Sequence, residues 1–120
     1  QFTEGTQISI GQWQKLALGR TLLKPADIYI YDEPNASLDI VSERSVLNML
    51  YDEMRNKITI LIMHRFNCMV ERANRIIVLE HGKIRESGTH EELLKNRDLY
   101  FKLFNEQKEV MVSDKWHGFE

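Results

Sequence analysis

Two adjacent carboxylates, Asp32 and Glu33, close the alternating run Ile28-Tyr29-Ile30-Tyr31, and Pro34 follows at once. Acids held at the end of a β-branched and aromatic run can divide labour, one near a divalent metal and one on a water. His64 ends a second apolar run, Ile58–Met63, where an imidazole can meet a developing negative charge. Ser9, Gly11 and Gln12 stand where another element begins. Ser9 with Gln12 three residues on is a capping-box pattern, and such a helix start offers free N–H groups and a positive dipole end to an anion. Together these residue types suit chemistry on a phosphate. Each also has a plain structural use: an acidic turn, a good cap, a histidine that only packs.

The elements that would position these groups follow from pattern. Trp13, Leu16, Ala17 and Leu23 recur at helical spacing, and the helix should stop before Pro25 because the residue preceding proline is disfavoured in the α region. Ile28 onward is a strand ending on the acids, with Pro34 barring further ladder. Asn35–Asp39 is a loop, and Asp39 is placed to cap the next helix, whose Leu47, Leu50, Tyr51 and Met54 share a face. Ile58–Met63 has the continuous apolar character of a strand buried on both faces of a parallel sheet. Strand, helix, strand implies a right-handed crossover, which brings His64 to the sheet edge that carries Asp32 and Glu33. In open α/β sheets ligands bind at that edge.

Beyond it, Arg65–Arg72 should form a short helix with Phe66, Met69, Val70 and Ala73 inward. Arg75–Glu80, His81-Gly82 and Lys83–Glu86 read as a hairpin with positive φ at the glycine. Thr89 with Glu92 is a second capping box, and Asp98–Gln107 is an amphipathic helix led by Leu99, Leu103 and Phe104. Residues from Lys108 lack clear periodicity and are expected to form a mobile tail, giving a division at 1–107 and 108–120.

With 120 residues, the chain has room for one modest domain. Its net charge of −2 argues against a broad nucleic-acid surface. A single cysteine, Cys68, excludes an internal disulfide and fits a reducing compartment as a small core filler. Its longest apolar run is far shorter than a bilayer crossing needs. The first residue is Gln1 and motif-like sequence begins immediately, as expected of a fragment lacking its amino-terminal portion.

In this order and spacing, ISIGQWQKLALGRTLLKPADIYIYDEP, ASLD, His64 and HGKIRESGTHEELL resemble the carboxyl-terminal half of an ATP-binding cassette, the nucleotide-binding domain of ABC transporters. They stand in turn for its signature motif, helix and Walker B strand, its D-loop, its switch histidine and its closing hairpin and helix. The resemblance covers about Gly5 to Gln107. It implies an α/β fold, the carboxyl-terminal part of a P-loop NTPase cassette, with a parallel sheet core flanked by helices and a small terminal hairpin. It also implies ATP and Mg²⁺: Asp32 supporting the metal, Glu33 polarising the hydrolytic water and His64 contacting the γ-phosphate. Ser9, Gly11 and Gln12 would contact the triphosphate of the opposite subunit, and Asp39 would carry communication across the dimer. The implied partners are a second nucleotide-binding domain and a transmembrane domain, at the cytoplasmic face of the cell membrane. GTQISIGQ and GTHEELL are most similar to exporter cassettes.

Two departures stand out. The signature is usually written LSGGQ, and Ile10 replaces its first glycine. No G-x-x-x-x-G-K-[ST] phosphate loop occurs in these residues. Alternatives at this level are a soluble cassette ATPase that is not a transporter, and a degenerate, non-catalytic cassette that serves as a binding module.

Overall fold

A computed structural model describes residues 10–22, 24–34 and 38–117. These fall into two units, one ending at His64 and one beginning at Arg65.

The first unit starts with helix α1, Ile10–Leu22. Its end before Pro25 agrees with the sequence, and a turn closes it as Lys24 N–H donates to Thr21 O at 3.1 Å. Strand β1, Ile28–Asp32, pairs in parallel with β2, Ile58–Ile62, in the register Ile28 with Ile58 through Asp32 with Ile62. Between them runs α2, Ile40–Met54. Asp39 caps it as expected, its carboxylate accepting from Ser42 N–H at 2.6 Å. That bond satisfies one of the donors a helix start leaves without an intrahelical partner.

The core of this unit is Tyr29, Tyr31, Val46, Leu47, Leu50 and Met54. Period-2 alternation puts both tyrosines on one face of β1, where their rings stack with centroids 6.2 Å apart. Tyr29 O–H donates to Lys24 O at 2.8 Å and accepts from Lys57 Nζ at 3.2 Å, so that Lys57, just ahead of β2, is tied to β1.

The other face of the strand pair corrects an expectation. Ile28, Ile30, Ile58, Ile60 and Ile62 are all exposed, so β2 is not buried on both faces. Both strands present isoleucine at matching register positions on that side, and no described element covers them. Trp13 and Leu16 of α1 are also more than half exposed.

In the second unit, 65–75 is a series of turns and not the expected helix. Asn67 explains the difference. Its side-chain oxygen accepts from Met69 N–H at 2.8 Å, a local bond that competes with helical pairing. Strands β3, Ile76–Glu80, and β4, Lys83–Gly88, form an antiparallel hairpin with an irregularity between Val78 and Leu79. Its two-residue turn has positive φ at both His81 (49°) and Gly82 (72°), the pattern whose twist matches the flanking strands.

Helix α3, His90–Asn96, opens on the complete Thr89/Glu92 capping box. Its C-cap Arg97 is left-handed, and α4, Leu99–His117, comes directly after. That helix continues through 108–117, where the sequence suggests a mobile tail. Its anchor is Tyr100, only 2% exposed, while Leu103 faces outward. Tyr100 N–H donates to the buried Glu86 at 2.8 Å, and its ring joins Phe66, His90 and Phe104 in an aromatic cluster. Arg85 braces the same corner, 3.1 Å from Asp98. The guanidinium holds the Asp98 carboxyl below its ordinary value.

Burial pushes the Tyr100 phenol up to about 12, with the negative charge of Glu71 adding to the effect. Its folded-state value lies above its ordinary value near 10, so its stabilising contribution is complete below about pH 10 and is lost as pH rises through about 12. Thermal unfolding of the wild-type chain between pH 9 and pH 12 should therefore show a steeper alkaline loss than the Tyr100→Phe variant. Equal slopes for the two would remove Tyr100 as the titrating group.

Candidate functional site

The candidate site lies at the carboxyl end of the β1–β2 pair. Since the strands are parallel and in register, both end at the same level, Asp32 opposite Ile62. The ladder then gains one more rung, Glu33 N–H donating to Ile62 O at 2.8 Å. At Glu33 the backbone turns left-handed, with φ 47°, ahead of the buried Pro34. A left-handed non-glycine residue costs roughly 1–2 kcal/mol, and such strain persists only where the surroundings impose it. Here the extra rung before it and the proline after it do so.

The turn delivers the Glu33 side chain to His64, which lies two residues past the end of β2. Glu33 Oε1 and His64 Nε2 are in close contact, within hydrogen-bonding reach. Both groups remain reachable from solvent, with the His64 side chain 77% and the Glu33 side chain 39% exposed. An accessible acid and imidazole in contact can hold one water between them and a substrate. A histidine serving only the core would be covered.

Asp32 is exposed on the strand face that also carries Ile28 and Ile30, so the adjacent acids do diverge. Among the described residues no three His, Cys, Asp or Glu side chains converge to hold a metal. A lone exposed carboxylate fits an ion that keeps most of its water and shares phosphate oxygens, as Mg²⁺ does, and not a cage made only of protein ligands.

The remaining candidates are placed differently. Gly11 and Gln12 fall in the first turn of α1, with Gln12 exposed. Ser9 and Asn35–Ser37 lie outside the described residues. Asp39 is engaged as the α2 cap. The structure thus brings Asp32, Glu33 and His64 to one end of one sheet. Sequence reasoning missed the left-handed turn at Glu33, whose only signal was the proline behind it. It also missed Tyr100 and Gln107, although Tyr100, Phe104 and Gln107 share a helical face by spacing.

The first unit is thus a strand–helix–strand arrangement whose parallel pair carries two acids and an imidazole at its carboxyl end. No family model matches the chain. It is 43% identical over 103 residues to the nisin transport ATP-binding protein NisT of Lactococcus lactis subsp. lactis, an alignment covering 86% of the chain and 17% of that protein. It is 46% identical over 109 residues to the ATP-dependent lipid A-core flippase of Dechloromonas aromatica, covering 91% of the chain and 18% of the flippase. Among solved structures it is similar to a bacterial Atm1-family ABC exporter with ATP bound, with a TM-score of 0.73 and 33% identity over 83% of the chain and 17% of the exporter chain. By these likenesses the chain belongs to the ATP-binding cassettes of ABC transporters. It spans about a sixth of the length of the curated relatives it matches. No helix among the described residues is long and apolar enough to cross a membrane.

Because both partners of the pair are substantially exposed, their mutual attraction contributes about 1 kcal/mol or less to stability. Denaturant unfolding of His64→Ala should therefore give a midpoint close to that of the wild-type chain. A loss of more than about 2 kcal/mol would show that the histidine serves packing, as buried core truncations do.

Proposed function

We propose that this chain supplies the hydrolytic part of an ATP site in a larger ABC protein of the exporter type, and that ATP hydrolysis there powers transport across a membrane. The observation that carries this reading is the contact of Glu33 with His64 at the carboxyl end of β1–β2. It is supported by relatives that are ATP-binding transport proteins and several times longer than the chain.

The roles follow from chemistry. Glu33 orients a water and accepts its proton as the water oxygen bonds to the γ-phosphorus. The bond to the bridging oxygen breaks, and ADP leaves with that electron pair. His64 donates to a γ-phosphate oxygen and offsets the charge that spreads there. Asp32 would hold Mg²⁺ through water. The ion, when bound, neutralises phosphate charge and shares its oxygens.

Ser9 and the first-turn α1 residues Gly11 and Gln12 contact the triphosphate carried by a second nucleotide-binding domain. Asp39 links the two domains while capping α2. The working assembly is thus a pair of such domains on a transmembrane domain, at the cytoplasmic face of the membrane, with no nucleic acid involved. Cargo is not specified by this stretch. Proteins named for nisin transport and for lipid A-core flipping match it at 43% and 46% identity, as expected if these residues touch ATP and not the transported molecule.

In the full-length protein carrying this segment, Glu33→Gln should leave ATP binding in place and slow turnover by about 10²–10⁴-fold, the usual worth of a positioned general base. Steady-state phosphate release together with nucleotide-binding measurements checks this. Turnover within a few-fold of wild type would remove Glu33 from the role.

A further inference from the structure

Burial and register are separate questions in the β1–β2 pair. Side chains alternate with period two, so burying Tyr29 and Tyr31 decides which face of each strand points inward and no more. A slip of two residues leaves every face as it is. It would set Ile30 opposite Ile58 in place of Ile28, with isoleucine still beside isoleucine on the open side. The ladder tolerates the change as well, since its evenly spaced bonds can be remade with new partners. Yet such a slip displaces the strand ends by roughly 7 Å, far beyond hydrogen-bonding reach between Glu33 and His64. The choice among registers of one parity falls to contacts that have a fixed position along the strands.

Lys57, one residue ahead of β2, makes such contacts. Its N–H donates to Met54 O at 3.0 Å, at the end of α2. Its Nζ donates to Ala26 O at 3.3 Å and to the Tyr29 hydroxyl at 3.2 Å, and lies 5.0 Å from the centre of the Tyr29 ring. The Tyr29 hydroxyl donates in turn to Lys24 O at 2.8 Å, which fixes the partner that Lys57 finds. One side chain thereby ties the start of β2 to two points at the start of β1. Moved two residues forward along β1, the ammonium would meet the Tyr31 hydroxyl, which is buried, and would lose its water there. Moved two residues back, it would leave the Tyr29 ring and hydroxyl altogether.

We infer that Lys57 is a positioning residue for the Glu33–His64 pair: by tying the start of β2 to Tyr29, it selects the register in which those two side chains meet. The inference rests on the hydrolytic role proposed above for the pair. All of these residues belong to the unit that ends at His64. Tyr29 precedes Glu33 by roughly 13 Å of strand, so Lys57 acts on the site through the ladder and not by touching the nucleotide.

The test compares Lys57→Met and Lys57→Arg in the full-length protein. Methionine keeps the apolar stem and loses the charge and its donors, whereas arginine keeps a cation and donors over the Tyr29 ring. Two quantities are read: steady-state kcat and KM for ATP, and hydrogen exchange at the Glu33 amide, the ladder bond nearest the site. For Lys57→Met the expected result is a kcat about tenfold lower, with KM within twofold of wild type. Exchange at Glu33 should be markedly faster while the amide of Leu50, in the core face of α2, keeps its protection. Lys57→Arg should recover kcat to within about threefold of wild type. Unchanged kcat in Lys57→Met would overturn the inference, and so would an arginine variant as slow as the methionine one. Loss of protection at both Glu33 and Leu50 would overturn it too, by making Lys57 a general stabiliser. A wild-type protein that binds ATP without turnover would refute the functional reading itself, and this inference with it, whereas the other failures leave that reading standing.

Discussion

Parallel pairing of β1 with β2 in a single register is the constraint on which the site depends. Because Ile28 stands opposite Ile58 and Asp32 opposite Ile62, both strands end at one level, and the residues just past one strand must meet those just past the other. A slip of one residue would exchange the two faces of a strand, sending Tyr29 and Tyr31 outward and separating Glu33 from His64. The register is held by burial of the tyrosine face and by Lys57, which reaches from just before β2 to Tyr29 O–H and to Ala26 O. Packing on one face thereby fixes chemistry at the strand ends.

The strained turn at Glu33 belongs to the same arrangement. Continued extension would carry the chain on along the strand direction. One more ladder bond followed by a left-handed residue instead stops the strand and aims the acid toward its neighbour. The open isoleucine face has a related meaning. A sheet that presents Ile28, Ile30, Ile58, Ile60 and Ile62 to solvent is a poor match to water, and apolar area of this kind ordinarily seeks cover.

Much of this was legible in the sequence because local signals agreed with one another. The Asp39 cap, the Thr89/Glu92 capping box and the His81-Gly82 turn each follow from residue chemistry over a few positions, and the placement of His64 near Glu33 follows from the strand–helix–strand order. The features that escaped depended on context. Periodicity suggested a helix over Arg65–Arg72, but one bond from the Asn67 side chain to Met69 N–H diverts the chain into turns. An apolar run such as Ile58–Met63 reads as buried on both sides, because composition cannot say which neighbours are at hand. Of Leu99, Leu103 and Phe104, which led α4 in the sequence, Phe104 joins the aromatic cluster while Leu103 is exposed. Tyr100 is the buried anchor because its amide caps onto Glu86 and its ring closes the aromatic cluster. The hydrogen bonds between Gln107 and the main chain of Phe66 were beyond reach, since glutamine at a helical position has no signature of its own.

We propose that Glu33 and His64 act as one unit because the β1–β2 register makes them neighbours. The most direct test is a double-mutant cycle on ATP turnover in the full-length protein, with Glu33→Gln, His64→Ala and both together. Residues acting as a unit are strongly non-additive. The double variant is expected to be about as slow as the slower of the two singles. Losses that simply multiply would show that the two side chains act independently, and that their contact in this structure has no bearing on hydrolysis.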